Sequence, residues 1–158
     1  MKLSKIYDTL VLNRTYEHFL SYLKTQFNDV NKAHLIMLRE TGILSKEIVK
    51  SIKDGLIRYD AWQDFPEKKP AEVEDYFFYA EQTLSRFIGT TAAGSLHIAR
   101  SRNDMDTTLF RMVMREDIAV WMLRALRLLE ALIAHGRQHL ATPVVLFTHD
   151  EPALVNSG

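Results

Sequence analysis

Apolar side chains recur every three or four positions along most of the chain, a spacing typical of amphipathic helices. The pattern predicts one helix over residues 5–27 and a second over 29–41, with Asp29 as the N-cap of the second. A third helix is predicted after Ser45, which caps it, and a fourth over residues 71–88. The first half of the chain is therefore predicted to be a group of short, packed helices.

The longest predicted helix covers residues 104–140, a stretch without proline that would span roughly 50 Å. Its middle part, Ile118–Ala134, is apolar around most of its circumference, with a narrow polar stripe made of Arg124, Arg127 and Glu130. The charges make its apolar runs too short for a membrane span. A helix with this composition needs several neighbours to cover it. We expect these to be helices from later sequence, from other subunits, or from both.

These elements predict an all-α protein without a β-sheet. A small helical amino-terminal domain is predicted for residues 1–103. Residues 104–158 are predicted to hold the first long helix of an incomplete central helical bundle, followed by an irregular tail that contains Thr148 and His149.

Composition narrows the functional classes. The chain is 47% hydrophobic and 25% charged, as ordinary globular proteins are, and its 20 basic residues balance its 20 acidic residues. No excess of charge favours nucleic acid or a membrane surface as a partner. The absence of cysteine excludes disulfides and thiolate chemistry. No apolar stretch follows the positively charged start, so a cytoplasmic location is predicted.

The polar segment Ala99–Asp104 carries the most informative chemistry. It places two arginines, a serine, an asparagine and an aspartate between a glycine-rich turn and a predicted helix start. Arginine binds carboxylates through two parallel hydrogen bonds, asparagine both donates and accepts, and N–H groups at a helix start favour anions. The segment suits a small substrate with carboxylate groups. The alternative is a polar loop in which Asp104 is the N-cap and the arginines pair with surface acids.

Two histidines of the long helix, His135 and His139, lie four positions apart, a spacing that metal ligands also use. No third ligand is evident in the sequence, and histidines near a helix end also suit the helix dipole. No metal site is therefore predicted.

The run Gly94–Asp104 closely resembles the motif G-K-L-H-T-x-R-S-R-N-D of the argininosuccinate lyases, which are members of the fumarase/aspartase superfamily. Other runs of the chain resemble further segments of that family in the same order: Asn31-Lys32-Ala33-His34, Glu74-Asp75 with Glu81, and Phe147-Thr148-His149. The resemblance extends over most of the chain, from near residue 30 to near residue 153. It corresponds to the first third or so of a typical family member.

The resemblance implies a β-elimination that needs no cofactor and no metal. The family breaks a carbon–nitrogen bond in a succinyl compound and releases fumarate. With argininosuccinate the other product is arginine, which places the reaction in arginine biosynthesis. Thr148 and His149 match a Thr-His pair that binds substrate and assists proton transfer. By motif position, four residues would bind the small dicarboxylate or succinyl substrate: His97, Ser101, Arg102 and Asn103.

The chain also departs from the family pattern. Phe77 stands where the family's fourth helix has histidine, Glu151 stands where glutamine is usual, and the early W-G-G-R-F stretch is absent. The family's flexible loop, which carries the serine regarded as the general base, would lie beyond residue 158. Family active sites combine segments from three subunits of a tetramer. We therefore expect a truncated carbon–nitrogen lyase, inactive alone, that associates with itself or with the remaining lyase segments.

Two alternatives stay open on the sequence. One is a lyase subunit fragment that acts on a different succinyl-type substrate, as Phe77 and Glu151 indicate. The other is a non-catalytic helical module that keeps the fold as a surface for interaction with another protein.

Overall fold

The computed structural model describes residues 4–157, which form helices over most of their length. The all-α class predicted from the sequence is confirmed, with one two-stranded hairpin as its exception. The prediction of a cytoplasmic location used the start of the chain. Residues 1–3 of that start lie outside the described residues. In chain order the elements are α1 (Lys5–Tyr7), a π-helix (Asp8–Leu12), α2 (Asn13–Tyr22), α3 (Lys24–Glu40), α4 (Lys46–Ala61), α5 (Tyr76–Ile88), α6 (Thr90–Ser95), α7 (Arg102–His139), β1 (Pro143–Thr148) and β2 (Glu151–Ser157).

The break before α3 falls at Leu23, so the predicted break at Asp29 is wrong. Asp29 lies inside α3, where its carboxylate accepts a hydrogen bond from Lys32 Nζ at 3.3 Å. The physical reason is burial. Phe27 and Asn28, which are 2% and 1% exposed, pack from α3 into the core, and this requires the helix to begin before them.

Side-chain caps set the starts of α4 and α5. Ser45 accepts a hydrogen bond from the N–H of Ile48 at 3.4 Å, which confirms it as the N-cap of α4. Asp75 accepts one from the N–H of Phe78 at 3.0 Å, so α5 begins directly after Asp75 and not at residue 71 as predicted. The cap decides the start because it supplies a partner for an N–H group that has none within the helix.

Two clusters of buried side chains form the core of the helical part. The first is dominated by aromatic rings and joins α2, α3, α4, α5 and the start of α7: Tyr16, Phe19, Phe27, Tyr59, Val73, Tyr76, Tyr79, Ala80, Met105 and Leu109. The second is aliphatic and joins α3 and α4 to α5 and α6: Leu35, Leu38, Leu44, Ile52, Leu56, Leu84, Ala93 and Leu96. Burial of these side chains supplies the main force that holds the helices together.

Tyr76 makes several of the ring contacts in the aromatic cluster. Its ring stacks on Phe19 with 4.5 Å between centroids and meets Phe27 edge-on at 5.6 Å. Its hydroxyl forms a 2.8 Å hydrogen bond with the hydroxyl of Tyr59. Burial raises the pKa of both phenols above the usual value, so each stays protonated. The cluster thus combines close packing with an internal partner for the two polar groups.

Lys69 connects the segment between α4 and α5 to the amino-terminal helices through polar contacts. Its ammonium group is almost fully buried and lies 3.0 Å from a carboxylate oxygen of Asp8. It also donates to the carbonyls of Pro70 and Val73, at 3.2 and 2.7 Å. The backbone N–H of Lys69 donates to Asn13 Oδ1 at 3.2 Å. The buried cation is tolerated because these acceptors replace its water shell.

Packing contacts divide the chain into two units, one that ends at Val113 and one that begins at Met114. The buried side chains of α7 are Met105 and Leu109, and both belong to the first unit. The domain boundary after residue 103 stays a prediction.

In the second unit the apolar side chains of α7 are exposed. Trp121 is 70% and Leu128 61% accessible to solvent. Within residues 4–157, no helix combines the length and the apolar character that crossing a membrane takes. Large exposed apolar surfaces of this kind are typical of sites that another surface covers.

The end of the described chain forms an antiparallel β-hairpin, where the sequence analysis predicted no sheet. β1 pairs with β2 up to Thr148 and Glu151, which flank the turn. His149 and Asp150 form the turn with φ of 52° and 64°, both positive as in a type I′ turn. Pro143 prevents α7 from continuing, and the β-branched and aromatic residues after it favour an extended strand.

Gly55 is a point of close approach between α4 and α5. A Cβ atom at this position would lie 2.8 Å from both Leu84 Cδ1 and Ile88 Cγ2, closer than carbon atoms pack. We expect Gly55→Ala to lower the free energy of unfolding by about 1 kcal/mol, because overpacking outweighs the better helix propensity of alanine. Thermal unfolding followed by circular dichroism measures the change.

Gly136→Ala on α7 is the matched control, because beyond its chain neighbours and the backbone of its own helix turn no atom of the described chain lies within 4 Å of the added Cβ. This substitution should leave the unfolding of the first unit unchanged. A Gly55→Ala protein as stable as the natural chain would contradict the close approach of α4 and α5.

Candidate functional site

Arg100 anchors the loop that precedes α7. Its Nη2 donates to Asn31 Oδ1 on α3 at 2.8 Å and lies 2.9 Å from Nδ1 of His97. Because a guanidinium group only donates, Nδ1 of His97 accepts, and the proton of the neutral ring is on Nε2. Ala99 has a φ of 59°, a left-handed conformation that is costly for residues other than glycine. The contacts of Arg100 hold the loop in this strained form.

A second contact joins the same loop to α3. A carbonyl oxygen only accepts, so Nε2 of His34 donates to the carbonyl of Ile98, at 3.0 Å. Burial lowers the pKa of His34; the hydrogen bond to Ile98 opposes this shift, and the charge of Arg100 adds to it. The loop is therefore fixed on α3 by two separate polar contacts.

Burial keeps His97 uncharged. Desolvation is the largest cause, and together with the charges of Arg100 and His34 it lowers the pKa of the ring to about 4. Burial also lowers the pKa of Arg100 to about 10, so Arg100 remains a cation at neutral pH. The ring of His97 lies against Phe77, with 4.7 Å between centroids. His97 is thus a neutral, partly buried side chain beside a fixed cation.

Ser101 and Asp104 cap the start of α7 through reciprocal hydrogen bonds. The Asp104 carboxylate accepts from the N–H and from the hydroxyl of Ser101, each at 2.9 Å, and the Ser101 oxygen lies 3.4 Å from the N–H of Asp104. This arrangement is a capping box in which Ser101, and not Asp104, is the N-cap. The hydrogen bonds lower the pKa of Asp104 below its usual value. The helix begins at Arg102 because the cap lies one residue earlier.

Arg102 borders an open cleft on the first unit. Its Nη1 pairs with Asp75, the N-cap of α5, and its guanidinium lies over the ring of Phe78, 4.7 Å from the centroid. These two contacts fix the position of the charged group. The cleft is lined by Thr15, Phe19, Asp75, Tyr76, Phe77, Arg102, Asn103 and Asp106.

Two carboxylates border the same cleft. Burial raises the pKa of Asp106, the negative charge of Asp75 raises it further, and Arg102 opposes both effects. The cleft therefore combines a cation with two acids, and Arg102 is the group in it that attracts an anion.

The four predicted substrate-binding residues lie in one short stretch but in different surroundings. Arg102 and Asn103 line the cleft. Ser101 is engaged in the cap of α7, and His97 lies between Arg100 and Phe77. Their roles in binding stay predictions.

Thr148 and His149 belong to the second unit. Thr148 is the last residue of β1, and His149 is the first residue of the hairpin turn. Both are exposed. Their roles in substrate binding and proton transfer stay predictions.

Comparison with known proteins gives the relatives of the chain. It is 38% identical over 149 residues to argininosuccinate lyase 2 of Agrobacterium fabrum, a match that covers 94% of the chain and 30% of that protein. It is 32% identical over 124 residues to argininosuccinate lyase of Methanosarcina barkeri. This match covers 78% of the chain and 25% of that protein. No protein-family profile matches the chain.

A solved structure of an EDDS lyase variant with bound fumarate is similar to the chain, with a TM-score of 0.73 and 30% identity, over 96% of the chain and 28% of that protein. The chain is an argininosuccinate lyase-like member of the fumarase/aspartase superfamily. It spans between 25% and 30% of the length of the two curated relatives.

Three residues that organise the site of this lyase-like chain were not among the individual site residues that we predicted: Asn31, Asp75 and Arg100. Each lies in a run of residues that resembles the family, and this resemblance is the sequence feature that could have pointed to a functional role. Arg100 pairs with Asn31, 69 positions away, and Arg102 pairs with Asp75, 27 positions away. Spacing along a sequence does not reveal such distant pairs.

Within residues 4–157 no group of three or more histidine or carboxylate side chains is arranged to hold a metal ion.

The lowered pKa of His97 predicts that this lyase-like chain loses stability in acid. The pKa is 6.5 for the free side chain and about 4 in the folded protein, so the unfolded state binds the proton more tightly. The contribution of His97 should be fully present above pH 6.5 and should decrease as the pH falls toward 4. Because His97 is partly exposed, we expect a loss of about 1–2 kcal/mol. Denaturant unfolding at a series of pH values measures it.

His97→Gln is the control, because glutamine does not titrate. Its unfolding free energy should depend less on pH in the same range. The pKa of His34 is also lowered, but His34 is present in both proteins. The difference in pH dependence between the two proteins therefore isolates His97. Equal pH dependence of the two proteins would show that His97 is not the titrating group.

Proposed function

We propose that this chain forms part of the active site of a carbon–nitrogen lyase that cleaves a succinyl compound by β-elimination. Argininosuccinate is the substrate that we favour, with fumarate and arginine as products, as in arginine biosynthesis. The observation that carries the proposal is the cleft lined by Arg102 and Asn103, in a chain similar over 94% of its length to an argininosuccinate lyase. The fumarate bound to the similar EDDS lyase supports a small dicarboxylate as ligand.

β-Elimination requires groups that stabilise negative charge. A base removes a proton from the carbon next to a carboxylate, and the carbanion-like state that results spreads its extra charge onto that carboxylate. Arg102 suits this state, because a guanidinium binds a carboxylate through two parallel hydrogen bonds. The amide of Asn103 both donates and accepts, so it suits a second carboxylate or the amino group of the substrate.

Asp75 prepares Arg102 for this role. It pairs with Nη1 of the guanidinium, and the ring of Phe78 supports the flat face of the group. A guanidinium carries five N–H groups, so others remain for a substrate carboxylate. A dianion would therefore meet an arginine whose position is already set, which reduces the entropy cost of binding.

Proton transfer is the part of the reaction that we assign to Thr148 and His149. Histidine is the side chain that enzymes use most often for this task. Both residues belong to a different unit from Arg102, and family active sites combine segments from several subunits. We propose that the complete site forms when the chain associates with itself or with the remaining lyase segments, and that the chain is inactive alone.

The exposed apolar side chains of α7 support an assembly of this kind. Between residues 118 and 133 the helix exposes large apolar residues on most sides: Ile118, Val120, Trp121, Met122, Leu123, Leu126, Leu128, Leu129, Leu132 and Ile133. Such a surface is favourable only when a partner removes it from water.

Phe77 favours a second candidate within the same reaction class. Its ring lines the cleft and lies against His97, at the position where the family has a histidine. The phenyl ring of Phe77 carries no nitrogen, so it offers no hydrogen bond to a polar substrate group at that point. A succinyl compound whose amine part is less polar than arginine would fit it better.

Arg102→Ala should weaken fumarate binding by about tenfold or more, because it removes charged hydrogen bonds to a carboxylate. Titration of the isotope-labelled chain with fumarate, followed by the NMR shifts of the first turn of α7, measures Kd. Arg111→Ala removes an exposed cation further along α7 and is the matched control. Equal values of Kd for Arg102→Ala and the natural chain would contradict the assigned role.

Fumarate production should require the remaining lyase segments. The carboxy-terminal part of argininosuccinate lyase 2 of Agrobacterium fabrum is a suitable complement, because that protein is 38% identical to the chain in the matched region. Fumarate release from argininosuccinate, followed by ultraviolet absorbance, should appear in the mixture. It should decrease about 100-fold with Arg102→Ala.

Two results would count against parts of this scheme. Fumarate release by the chain alone would show that no partner is needed. A mixture that forms a stable complex and binds fumarate, yet leaves argininosuccinate intact, would exclude that substrate and favour a different succinyl compound.

A further inference from the structure

A groove lies between α3 and α4 on the first unit, and it includes none of the residues assigned to the lyase reaction. Its floor is apolar and contains Leu35 and Ile36 of α3 and Val49 and Ile57 of α4. Ile36 and Ile57 are each 56% exposed. An exposed apolar floor within a groove is typical of a surface that another molecule covers.

The groove has the dimensions of a helix-binding surface. It is lined at positions 32, 35, 36 and 39 of α3 and at positions 49, 53, 56 and 57 of α4. Both sets repeat every three or four residues, so each forms a row along its helix for about two turns, roughly 10 Å. A third helix packs into such a groove with side chains at i, i+4 and i+7.

Both walls of the groove carry positive charge, with Arg39 on α3 and Lys53 on α4. Neither side chain forms an ion pair with a residue in the described part of the chain. Lys32, a third cation at the groove, is held by Asp29 at 3.3 Å and by Asp60 at 2.7 Å. Arg39 and Lys53 are therefore the cations that remain for a ligand, one on each side of the apolar floor.

We propose that this groove binds an amphipathic α-helix of another protein, with an apolar stripe against the floor and acidic residues on both edges of the stripe. The acidic residues would pair with Arg39 and Lys53. A second copy of α7 lacks this pattern, because its polar stripe is mainly basic, with Arg124 and Arg127 beside a single acid, Glu130. A fatty acid supplies one carboxylate at one end, whereas the cations stand on opposite walls. The inference is independent of the lyase reaction.

Two fluorescently labelled peptides test the proposal with the whole chain. Each is a helix of about 14 residues with leucine at i, i+4 and i+7. One carries glutamate on both edges of the leucine stripe, and the other carries lysine. Fluorescence anisotropy should show that the glutamate peptide binds about tenfold more tightly than the lysine peptide. This difference should decrease as the salt concentration rises.

Charge reversal tests the walls of the groove. Arg39→Glu combined with Lys53→Glu should weaken binding of the glutamate peptide by about tenfold and strengthen binding of the lysine peptide. Arg14→Glu combined with Lys68→Glu is the matched control, because it makes the same change in net charge at exposed positions outside the groove. The control should bind both peptides as the natural chain does.

Substitution of the floor is a separate test. Ile36→Ser combined with Ile57→Ser should abolish binding of the glutamate peptide. Ile43→Ser, at an apolar side chain that is 49% exposed outside the groove, should leave it unchanged. Circular dichroism spectra that match the natural chain verify that the helices are kept.

Three results would overturn the proposal. The first is equal affinity for the two peptides. The second is unchanged binding after both the charge reversal and the floor substitution, which would place the peptides on the apolar part of α7. The third is displacement of the labelled glutamate peptide by decanoate at lower concentrations than by the unlabelled peptide, which would make the groove a lipid site.

Discussion

The burial of Tyr76 is the constraint on which the helical unit depends. Its ring is fixed against Phe19, and its hydroxyl is buried at low cost only because Tyr59 supplies a partner. Tyr76 is also the first residue of α5 and directly follows Asp75. Because the ring of Tyr76 is held in the core, the start of α5 is fixed. The position of the Asp75 carboxylate, which pairs with Arg102, is therefore fixed as well. The candidate site therefore takes its geometry from the core.

Periodicity predicted most of the helices because burial along one face is a local property of a sequence. It was wrong at boundaries that depend on distant contacts. The chain breaks at Leu23, and not at Asp29, because Phe27 packs across onto other helices. α5 starts late because Asp75 caps it. The hairpin was not predicted, because a short apolar run is identified as a strand only when its pairing partner is known.

The family motif predicted four substrate-binding residues, and it did not predict how each side chain is engaged. Two of the four, Arg102 and Asn103, line the cleft, and their role in binding stays a prediction. The hydroxyl of Ser101 is occupied in the cap of α7, so a ligand would have to share it with Asp104. His97 is neutral because it is buried and because Arg100 lies beside its ring, and both conditions become visible only in three dimensions.

The division of the chain after Val113 has a consequence for the order of events during synthesis. The first unit holds both buried clusters, so it can fold while the ribosome is still adding later residues. The rest of α7 then emerges with its apolar side chains uncovered. Until these side chains are covered, aggregation through them competes with the packing contacts that would remove them from water.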